Sequence, residues 1–228
     1  MTGFEQPVFE ISANVLLKAY TCGIFPMAES ADSPELHWID PEHRGALPLD
    51  AIQLPRRLAR TIRQGRFNVH IDRDFEGVID GCAASRAGRT STWINDRIRA
   101  LYGELFGAGH CHTVEVYRDG HMVGGLYGVG LHGAFFGESM FSTEKDTSKV
   151  ALIYLCARLI HGGYKLLDTQ FVTDHLAQFG AEEISRSTFH QRLTQALATK
   201  ADFMALDVVT PPERIIEIVR CAARTSRN

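Results

Sequence analysis

The chain carries TVEVYRDGHMVGGLYGVGLHGAFFGESMFS at residues 113–142, and this segment predicts three consecutive β-strands. The strands are expected at 113–117, 122–129 and 134–142. Asp119-Gly120 stands between the first two, and Asp-Gly is a strong signal for a two-residue hairpin turn. Strands joined this closely are expected to pair antiparallel in one sheet.

A long apolar helix and a buried strand are predicted next, at 148–160 and 165–172, with Gly162-Gly163 between them. The other predicted elements are a strand at 67–72, helices at 74–84 and 94–106, and short helices that begin at 174 and 187. The order β-α-α-β-β-β-α-β-α predicts an α/β (α+β) fold with a mixed, largely antiparallel sheet flanked by helices. It resembles the order of the GNAT acyltransferase superfamily, so a GNAT-like fold is expected.

The first 48 residues are predicted to form a small N-terminal subdomain. Ser12 can cap a helix that runs to about residue 22 and stops at Gly23, and Pro26 then opens a polar loop. A short extended segment follows at 36–39. Residues 49–228 are then expected to form the GNAT-like domain.

Composition is that of an ordinary globular protein, with 45% hydrophobic and 22% charged residues among 228. The N-terminus lacks the pattern of a signal peptide, and no apolar run approaches the roughly 20 residues that span a bilayer. The five cysteines are scattered and lack CxxC spacing, which favours free thiols in a reducing cytoplasm. A cytoplasmic protein without a membrane partner is predicted. Because the net charge is −3, nucleic acid would have to bind through a local patch.

Several common catalytic motifs are missing from the sequence. Neither GxSxG nor GxxxxGK[ST] occurs, and no GxGxxG leads from a strand into a helix. His110 and His112 form a lone HxH pair, which is a weak metal signal, and no metal is predicted. A GNAT acetyltransferase needs a glycine-containing turn for the pyrophosphate of CoA. The turn at 142–149 has no glycine and contains Glu144 and Asp146, so CoA binding is disfavoured.

Three polar residues interrupt predicted apolar strands. Glu138 lies within GAFFGESMFS, where a bare buried carboxylate would be costly. It is expected to be paired, to face a cleft or to have a raised pKa, unless it lies at a strand end on the solvent face. Asp168 and Gln170 are two apart on one strand and should project from the same face. Such a pair suggests a cleft or, alternatively, a polar contact between the sheet and a helix.

Six segments together resemble the signature series of the leucyl/phenylalanyl-tRNA–protein transferases, in that family's order and spacing. The resemblance covers roughly residues 12–195, and FFGESMFS followed by LLDTQ is its most specific part. The segments are GIFP (23–26), TWI (92–94), GGLYGV (124–129), FFGESMFS (135–142), DTSK (146–149) and LLDTQ…DH…GA (166–181).

The resemblance implies an enzyme that transfers Leu or Phe, and Met less well, from aminoacyl-tRNA to a protein's N-terminal α-amino group. The implied acceptors begin with Lys or Arg, and the product is an N-degron. An N-recognin adaptor and an ATP-dependent protease are the implied downstream partners. The reaction needs no metal, nucleotide or CoA, so no cofactor is expected.

The resemblance also implies roles for individual residues. Asp168 is expected at the reacting centre as base or orienting partner, with Gln170 as a hydrogen-bond partner of the amine or ester. Glu138 is expected to anchor an ammonium group. Trp93 matches the family's aromatic at the terminal adenosine, whereas Met27 stands where many members carry Trp. The candidate walls of the amino-acid pocket, two of them expected to be plain core, are Leu126, Phe135, Met140, Leu155 and Leu167.

A basic stripe is predicted on the helix that begins at Pro55. Arg56, Arg57, Arg60 and Arg63 have no acidic residue among them. The first, third and fourth follow i, i+4, i+7 spacing and so share one face. We interpret the stripe as a contact to acceptor-stem phosphates, and the alternative is a solvated basic face.

Three competing functions remain open. A GNAT-type acetyltransferase is disfavoured by the acidic, glycine-free turn. A peptidoglycan-type aminoacyl-tRNA transferase uses the same donor but usually has two such folds in a longer chain. A non-catalytic tRNA-binding module would leave Asp168, Gln170 and Glu138 without a role. Binding of CoA, of tRNA or of neither separates these functions.

Overall fold

The computed structural model describes residues 11–33, 35–84 and 92–225. The strands are β1 (Phe25–Met27), β2 (His37–Ile39), β3 (His43–Ala46), β4 (Asn68–Ile71), β5 (Cys111–Arg118), β6 (His121–Leu131), β7 (Ala134–Ser142), β8 (Leu166–Gln170) and β9 (Glu182–Ser185). The helices are α1 (Ala13–Thr21), α2 (Arg56–Arg63), α3 (Phe75–Ala83), α4 (Asp96–Gly107), α5 (Thr147–His161), α6 (Asp174–Ala177), α7 (Arg186–Leu197) and α8 (Pro212–Thr225).

One seven-stranded sheet organises these elements, in the order β4-β5-β6-β7-β8-β3-β9. Adjacent strands in this sheet run antiparallel, except β7 and β8, which are parallel to each other. Helix α5 makes the crossover between those two strands, as a parallel connection requires. The predicted fold class, a mixed and largely antiparallel sheet flanked by helices, is confirmed. Strands β1 and β2 form a separate two-stranded sheet.

Local signals placed most element boundaries correctly. The β5–β6 hairpin turns at Asp119-Gly120, where both residues have positive φ, 50° and 81°, as a type I′ turn requires. The side chains of Ser12 and Asp74 accept hydrogen bonds from the backbone N–H groups of Val15 and Gly77, and so cap α1 and α3. Helix α5 ends at Gly162 as predicted.

The sheet separates two apolar layers, because alternate residues of a strand point to opposite faces. Leu126 and Leu167 pack into the layer that contains α2, α5 and α8. Their neighbours Tyr127 and Leu166 pack into the layer that contains α1, α3, α4 and α7. Burial of α5 on nearly all sides explains why its sequence is apolar without interruption from residue 150 to residue 157.

Four elements carry no prediction from the sequence: β1, which falls where a polar loop was expected, and β3, β9 and α8. Strands β3 and β9 are four residues each, and β3 contains a buried arginine in place of apolar alternation. They exist because β3 inserts between β8 and β9, a pairing between segments distant in sequence. Propensity over four residues cannot indicate such a pairing.

The predicted domain boundary at residue 48 falls just after β3, whose residues 43–46 belong to the main sheet. The division into 1–48 and 49–228 stays a prediction. No helix in the described ranges is long and apolar enough to cross a membrane. The N-terminal residues used to argue against a signal peptide lie outside those ranges.

Candidate active site

A cavity of about 540 Å³ opens where strands β7 and β8 stop pairing. Their parallel register ends at Phe136 and Asp168, and the residues that follow, from Gly137 and Thr169 onward, line the cavity. Strand β1, helix α5 and the segment around Trp93 close the other sides. A volume of this size is within the range of small-molecule sites.

Most of the predicted pocket residues line this cavity. Those that do are Leu126, Met140, Leu155 and Leu167, together with Trp93 and Met27. Further apolar wall comes from residues without a sequence prediction, namely Phe25, Phe141, Leu152, Phe171 and Leu176. The wall is thus suited to an apolar side chain of variable shape, since methionines adapt to different partners.

Phe135 is the exception, and its expected place in the wall has to be corrected. It lies in the paired part of β7, opposite Leu167, before the strands separate. The ring is fully buried and stacks on Phe203, with 5.7 Å between centroids. It also packs over Gly128, where a Cβ atom would lie 2.4 Å from the ring. Phe135 is therefore a core residue.

The Asp168 carboxylate is held by a buried arginine that the sequence alone did not single out. Arg44 Nε donates to Asp168 Oδ1 over 2.9 Å and Arg44 Nη2 donates to Oδ2 over 2.6 Å. The two side chains are 1% and 0% exposed. Two-point pairing of this kind fixes both position and orientation of a carboxylate. Asp168 does not line the cavity, so the geometry fits the orienting role better than that of a base.

The next link in this network is the backbone of Gln170. Its N–H donates to Asp168 Oδ1 over 2.9 Å, and its φ is 54°, in the left-handed region. The N–H of Phe171 donates to the Thr169 carbonyl over 2.6 Å, which closes a three-residue turn around Gln170. Such strained backbone is typical of functional sites.

This turn corrects the prediction that Asp168 and Gln170 present their side chains side by side. Positive φ at Gln170 breaks the strand alternation, and Gln170 alone of the two lines the cavity. Its Nε2 atom is buried and has no hydrogen-bond partner among the described residues. A buried unpartnered donor is costly unless a ligand uses it, so Gln170 is a candidate for contact with a ligand.

Arg44 itself is enclosed between two aromatic rings. Its guanidinium carbon lies 4.5 Å from the ring centroid of Phe25 and 4.3 Å from that of Phe189. Its Nη1 donates to the Gly23 carbonyl over 2.9 Å, within the GIFP segment. The sequence offers one signal for Arg44, namely a charged residue directly before the short apolar run GAL at 45–47. Its partner was not identifiable, because Asp168 is 124 residues away.

Glu138 lies on the cavity wall in contact with two buried tyrosines. Tyr20 and Tyr102 donate to its two carboxylate oxygens over 2.7 and 2.8 Å, and the two hydroxyl oxygens are 2.5 Å apart. If Glu138 is ionised, only the two tyrosine protons are available for the three short oxygen–oxygen contacts. If Glu138 is protonated, its own proton makes three, one for each contact. Burial raises the pKa of Glu138 to about 7, and the two tyrosine hydrogen bonds oppose that shift.

Replacing Glu138 by Gln is expected to stabilise the protein increasingly as pH rises. The native carboxyl titrates near 7 and the unfolded one near its ordinary value, so the native state holds the extra proton between them. Wild-type stability therefore falls through this window as pH increases. Gln, which mimics the protonated form, should avoid a loss on the order of 2–3 kcal/mol. Urea unfolding of wild type and of Glu138→Gln at pH 5 and pH 8 measures the difference in unfolding free energy between them. A difference that is the same at both pH values would contradict the raised pKa.

Three further polar residues line the same cavity, and no role for any of them was predicted from the sequence. Ser148 at the start of α5, Thr173 and His175 are among the lining residues. Burial and the nearby Lys149 lower the pKa of His175, which keeps its imidazole neutral near pH 7. Its buried Nε2 has no partner in the described part of the chain. The cavity thus has polar groups at defined points of an apolar wall, as ligand sites generally do.

His112, the second histidine of the HxH pair, contacts Asp72 and Phe203 and does not line the cavity. His112 Nδ1 lies 2.8 Å from Asp72 Oδ2, and its ring stacks on Phe203 with 3.9 Å between centroids. Within the described ranges, no three His, Cys, Asp or Glu side chains are grouped so that they could hold a metal ion.

The predicted basic stripe lies on the outer face of α2. All four arginines, Arg56, Arg57, Arg60 and Arg63, are exposed, while Leu58, Ala59 and Ile62 bury the opposite face. The helix and its exposed face are as predicted from the spacing. Contact between this face and RNA stays a prediction.

Comparisons with known proteins give consistent matches. The family model for leucyl/phenylalanyl-tRNA protein transferase matches residues 46–194, and the model for the N-terminal domain of that protein matches residues 9–42. A leucyl/phenylalanyl-tRNA–protein transferase of Rhodopseudomonas palustris (strain HaA2) is 58% identical, over 92% of this chain and 94% of that protein. One from Afipia carboxidovorans is 52% identical over 99% of this chain and 100% of that protein. The solved structure of L-PGS from Bacillus licheniformis, 12% identical, covers 88% of this chain and 67% of that one with a TM-score of 0.36, which supports no conclusion.

Proposed function

This chain belongs to the leucyl/phenylalanyl-tRNA–protein transferase family, and on that premise we propose that it transfers Leu or Phe, and Met less readily, to proteins that begin with Lys or Arg. The chain is an aminoacyltransferase, an enzyme that moves an amino acid from tRNA to a protein. The identity of the amino acid, the N-terminal acceptor residue and the N-degron product belong to the proposal.

One arrangement carries this proposal more than any other: a buried Arg44–Asp168 pair supports the turn that carries Gln170 into an apolar cavity. Glu138 lines the same cavity. Transfer of an amino acid with an apolar side chain from its ester to an amine needs these components, namely a pocket, an oriented hydrogen-bonding group and a carboxylate. A binding module would not need a strained turn with an unpartnered amide.

The proposed reaction is attack by the neutral α-amino nitrogen of the acceptor on the ester carbonyl carbon. A nitrogen–carbon bond forms, the bond from that carbon to the ribose oxygen of tRNA breaks, and one amine proton passes to the released oxygen. An α-amino group has a pKa of about 7.7–8.0, so part of it is neutral at pH 7. No stronger base is required for the attack.

Within this reaction Gln170 is proposed to contact the reacting atoms directly. Its Nε2 can donate to the carbonyl oxygen as negative charge develops, or its Oε1 can accept a hydrogen bond from the amine. Asp168 is proposed to orient it through the backbone N–H of Gln170. Glu138 in its ionised form is proposed to bind an ammonium group, either that of the donor amino acid or the basic side chain of the acceptor.

The terminal adenosine is proposed to lie against Trp93 at the cavity. The family resemblance implies a second Trp at a position where this chain has Met27. Phe171, which follows the Gln170 turn, is 47% exposed and also lines the cavity. It could supply a second aromatic surface, since base stacking needs only an accessible ring face.

Replacing Leu155 by Trp should lower Phe transfer more than Met transfer. Leu155 is 2% exposed and lines the cavity from α5, so a larger ring there occupies volume that the flat Phe side chain needs. A steric change of this size in an apolar pocket alters selectivity by roughly 10-fold or more. Initial rates with each charged tRNA measure it. Equal losses for both donors would move the side-chain pocket elsewhere.

The basic face of α2 is proposed to bind phosphates of the tRNA. Changing Arg56 and Arg60 together to Glu should weaken tRNA binding and flatten its salt dependence, by roughly 0.7–0.9 in slope for each phosphate that is no longer bound. Arg192→Gln is a suitable control, because Arg192 lies on α7 and pairs with Glu182. An unaltered salt slope in the double variant would remove this face from the interface.

The experiment that tests the proposed function is transfer of radiolabelled Leu from charged tRNA to a casein-like protein with N-terminal Arg, without added cofactor. Transfer that disappears when the N-terminal Arg is replaced by Asp supports donor and acceptor together. Binding of tRNA without transfer would favour a different acceptor or a binding module. Binding of CoA instead would favour an acetyltransferase. A cytoplasmic location and hand-over of the product to an adaptor and an ATP-dependent protease remain part of the proposal.

A further inference from the structure

A second concavity lies on the surface between helices α2 and α8. It is a groove of about 320 Å³. Arg63 lines it from α2, and Arg220 and Arg224 line it from α8. The two α8 arginines are one helical turn apart, so they share a face.

These three arginines have no salt bridge to another described residue, whereas Arg214 on the same helix pairs with Glu217 over 2.7 Å. Arg63 and Arg224 are exposed, and Arg220 is half-buried. Carboxylates do occur in the groove, at Glu213 and Glu217. They come from the earlier turns of α8, so the later turns present positive charge.

The groove continues the basic face of α2. Arg63 is the last residue of that face and also lines the groove. Arg60 and Arg56 lie one and two turns before it on the exposed side of the same helix. The protein as a whole carries a net charge of −3. This concentration of arginines is therefore local and opposes the overall charge.

We propose that this groove extends the RNA-binding surface, with Arg63, Arg220 and Arg224 binding backbone phosphates of the tRNA. The inference rests on the proposed function, because it assumes a tRNA donor. Guanidinium groups bind phosphate oxygens through two parallel hydrogen bonds, and such contacts position an RNA without reading its sequence. Helix α8 lies beyond residue 194, where the family model ends.

The alternative is that Arg220 and Arg224 only complement the negative end of the α8 dipole. The test is the double variant Arg220→Gln/Arg224→Gln, with tRNA binding measured from about 50 to about 200 mM salt. Binding at low salt should weaken about 5- to 20-fold, and the salt slope should fall by roughly 1.4–1.8. Arg192→Gln, on α7 and paired with Glu182 outside the groove, should leave both the affinity and the salt slope within about 2-fold of wild type.

Two further measurements separate RNA contact from a change in the fold. Glu213→Gln removes an unfavourable charge from the groove and should strengthen tRNA binding about 2-fold. Leucyl-adenosine as donor carries no phosphate for the groove arginines to bind, so its transfer rate should be the same in wild type and in the double variant.

Unchanged tRNA affinity and salt slope in the double variant would overturn the inference while wild-type transfer from tRNA still supports the proposed function. An equal loss with leucyl-adenosine would also overturn it, because the arginines would then act through the fold. Absence of both tRNA binding and transfer in the wild type would instead refute the proposed function and the inference together.

Discussion

Replacement of Arg44 by Met is expected to destabilise the protein by about 3–5 kcal/mol and to abolish most transfer. The reason is the location of its partner: Asp168 is 0% exposed, so loss of the guanidinium leaves a buried carboxylate without a counter-charge. For a chain of this length the loss corresponds to a fall in Tm of very roughly 10 °C. Urea unfolding and thermal unfolding measure it directly.

A compensating variant distinguishes this cause from loss of packing against Phe25 and Phe189. In Arg44→Met/Asp168→Asn the buried charge is gone, while the Asn oxygen can still accept the Gln170 N–H. We expect most of the lost stability to return, within about 1–2 kcal/mol of wild type. If the double variant were as unstable as Arg44→Met alone, the ring contacts and not the ion pair would be the main contribution of Arg44.

Replacement of Gln170 by Ala is expected to lower the transfer rate by about 100- to 1,000-fold, the usual effect of removing one hydrogen-bonding group at a reacting carbonyl. Affinity for tRNA should stay within about 3-fold, since the proposed phosphate contacts lie on α2 and α8 and do not involve Gln170. Stability should be unchanged or slightly higher. The variant removes a buried amide that has no Nε2 partner among the described residues, and Ala and Gln both tolerate positive φ poorly.

Gln170→Glu then decides which end of the amide acts. Glu keeps an oxygen that can accept from the amine but loses the Nε2 donor. Loss of activity equal to that of the Ala variant indicates donation to the developing oxyanion, whereas substantial activity indicates acceptance from the amine. If Gln170→Ala transferred Leu at the wild-type rate, Gln170 would not contact the reacting atoms.

Much of the fold was predictable because its signals are local. Asp119-Gly120 defines a hairpin from two residues, and Ser12 and Asp74 begin helices through hydrogen bonds to residues three positions ahead. The apolar run of α5 and its terminal glycines likewise act within one element. Strands β3 and β9 were not predictable, because their stability comes from partners far away in sequence.

The cavity was predictable only in part. Leu126, Met140, Leu155 and Leu167 line it as expected, because strand and helix periodicity indicates which residues share a layer. Phe135 shares that layer but not the cavity, because β7 and β8 separate only after it. Periodicity indicates which face of the sheet a residue lies on, but not how far along the strand the cavity begins. The point at which β7 and β8 separate could therefore not be derived from the sequence.

The amino-acid order alone determined most of the helices, the hairpin, the apolar layers and the residue types available for chemistry, since these depend on contacts within a few positions. Tertiary structure alone decided how those residues act. Arg44 reaches Asp168 across 124 positions, Tyr20 and Tyr102 reach Glu138 across 118 and 36, and the turn at Gln170 breaks the alternation of its strand. Orientation, protonation and strain arise from burial and from partners that only the folded chain brings together.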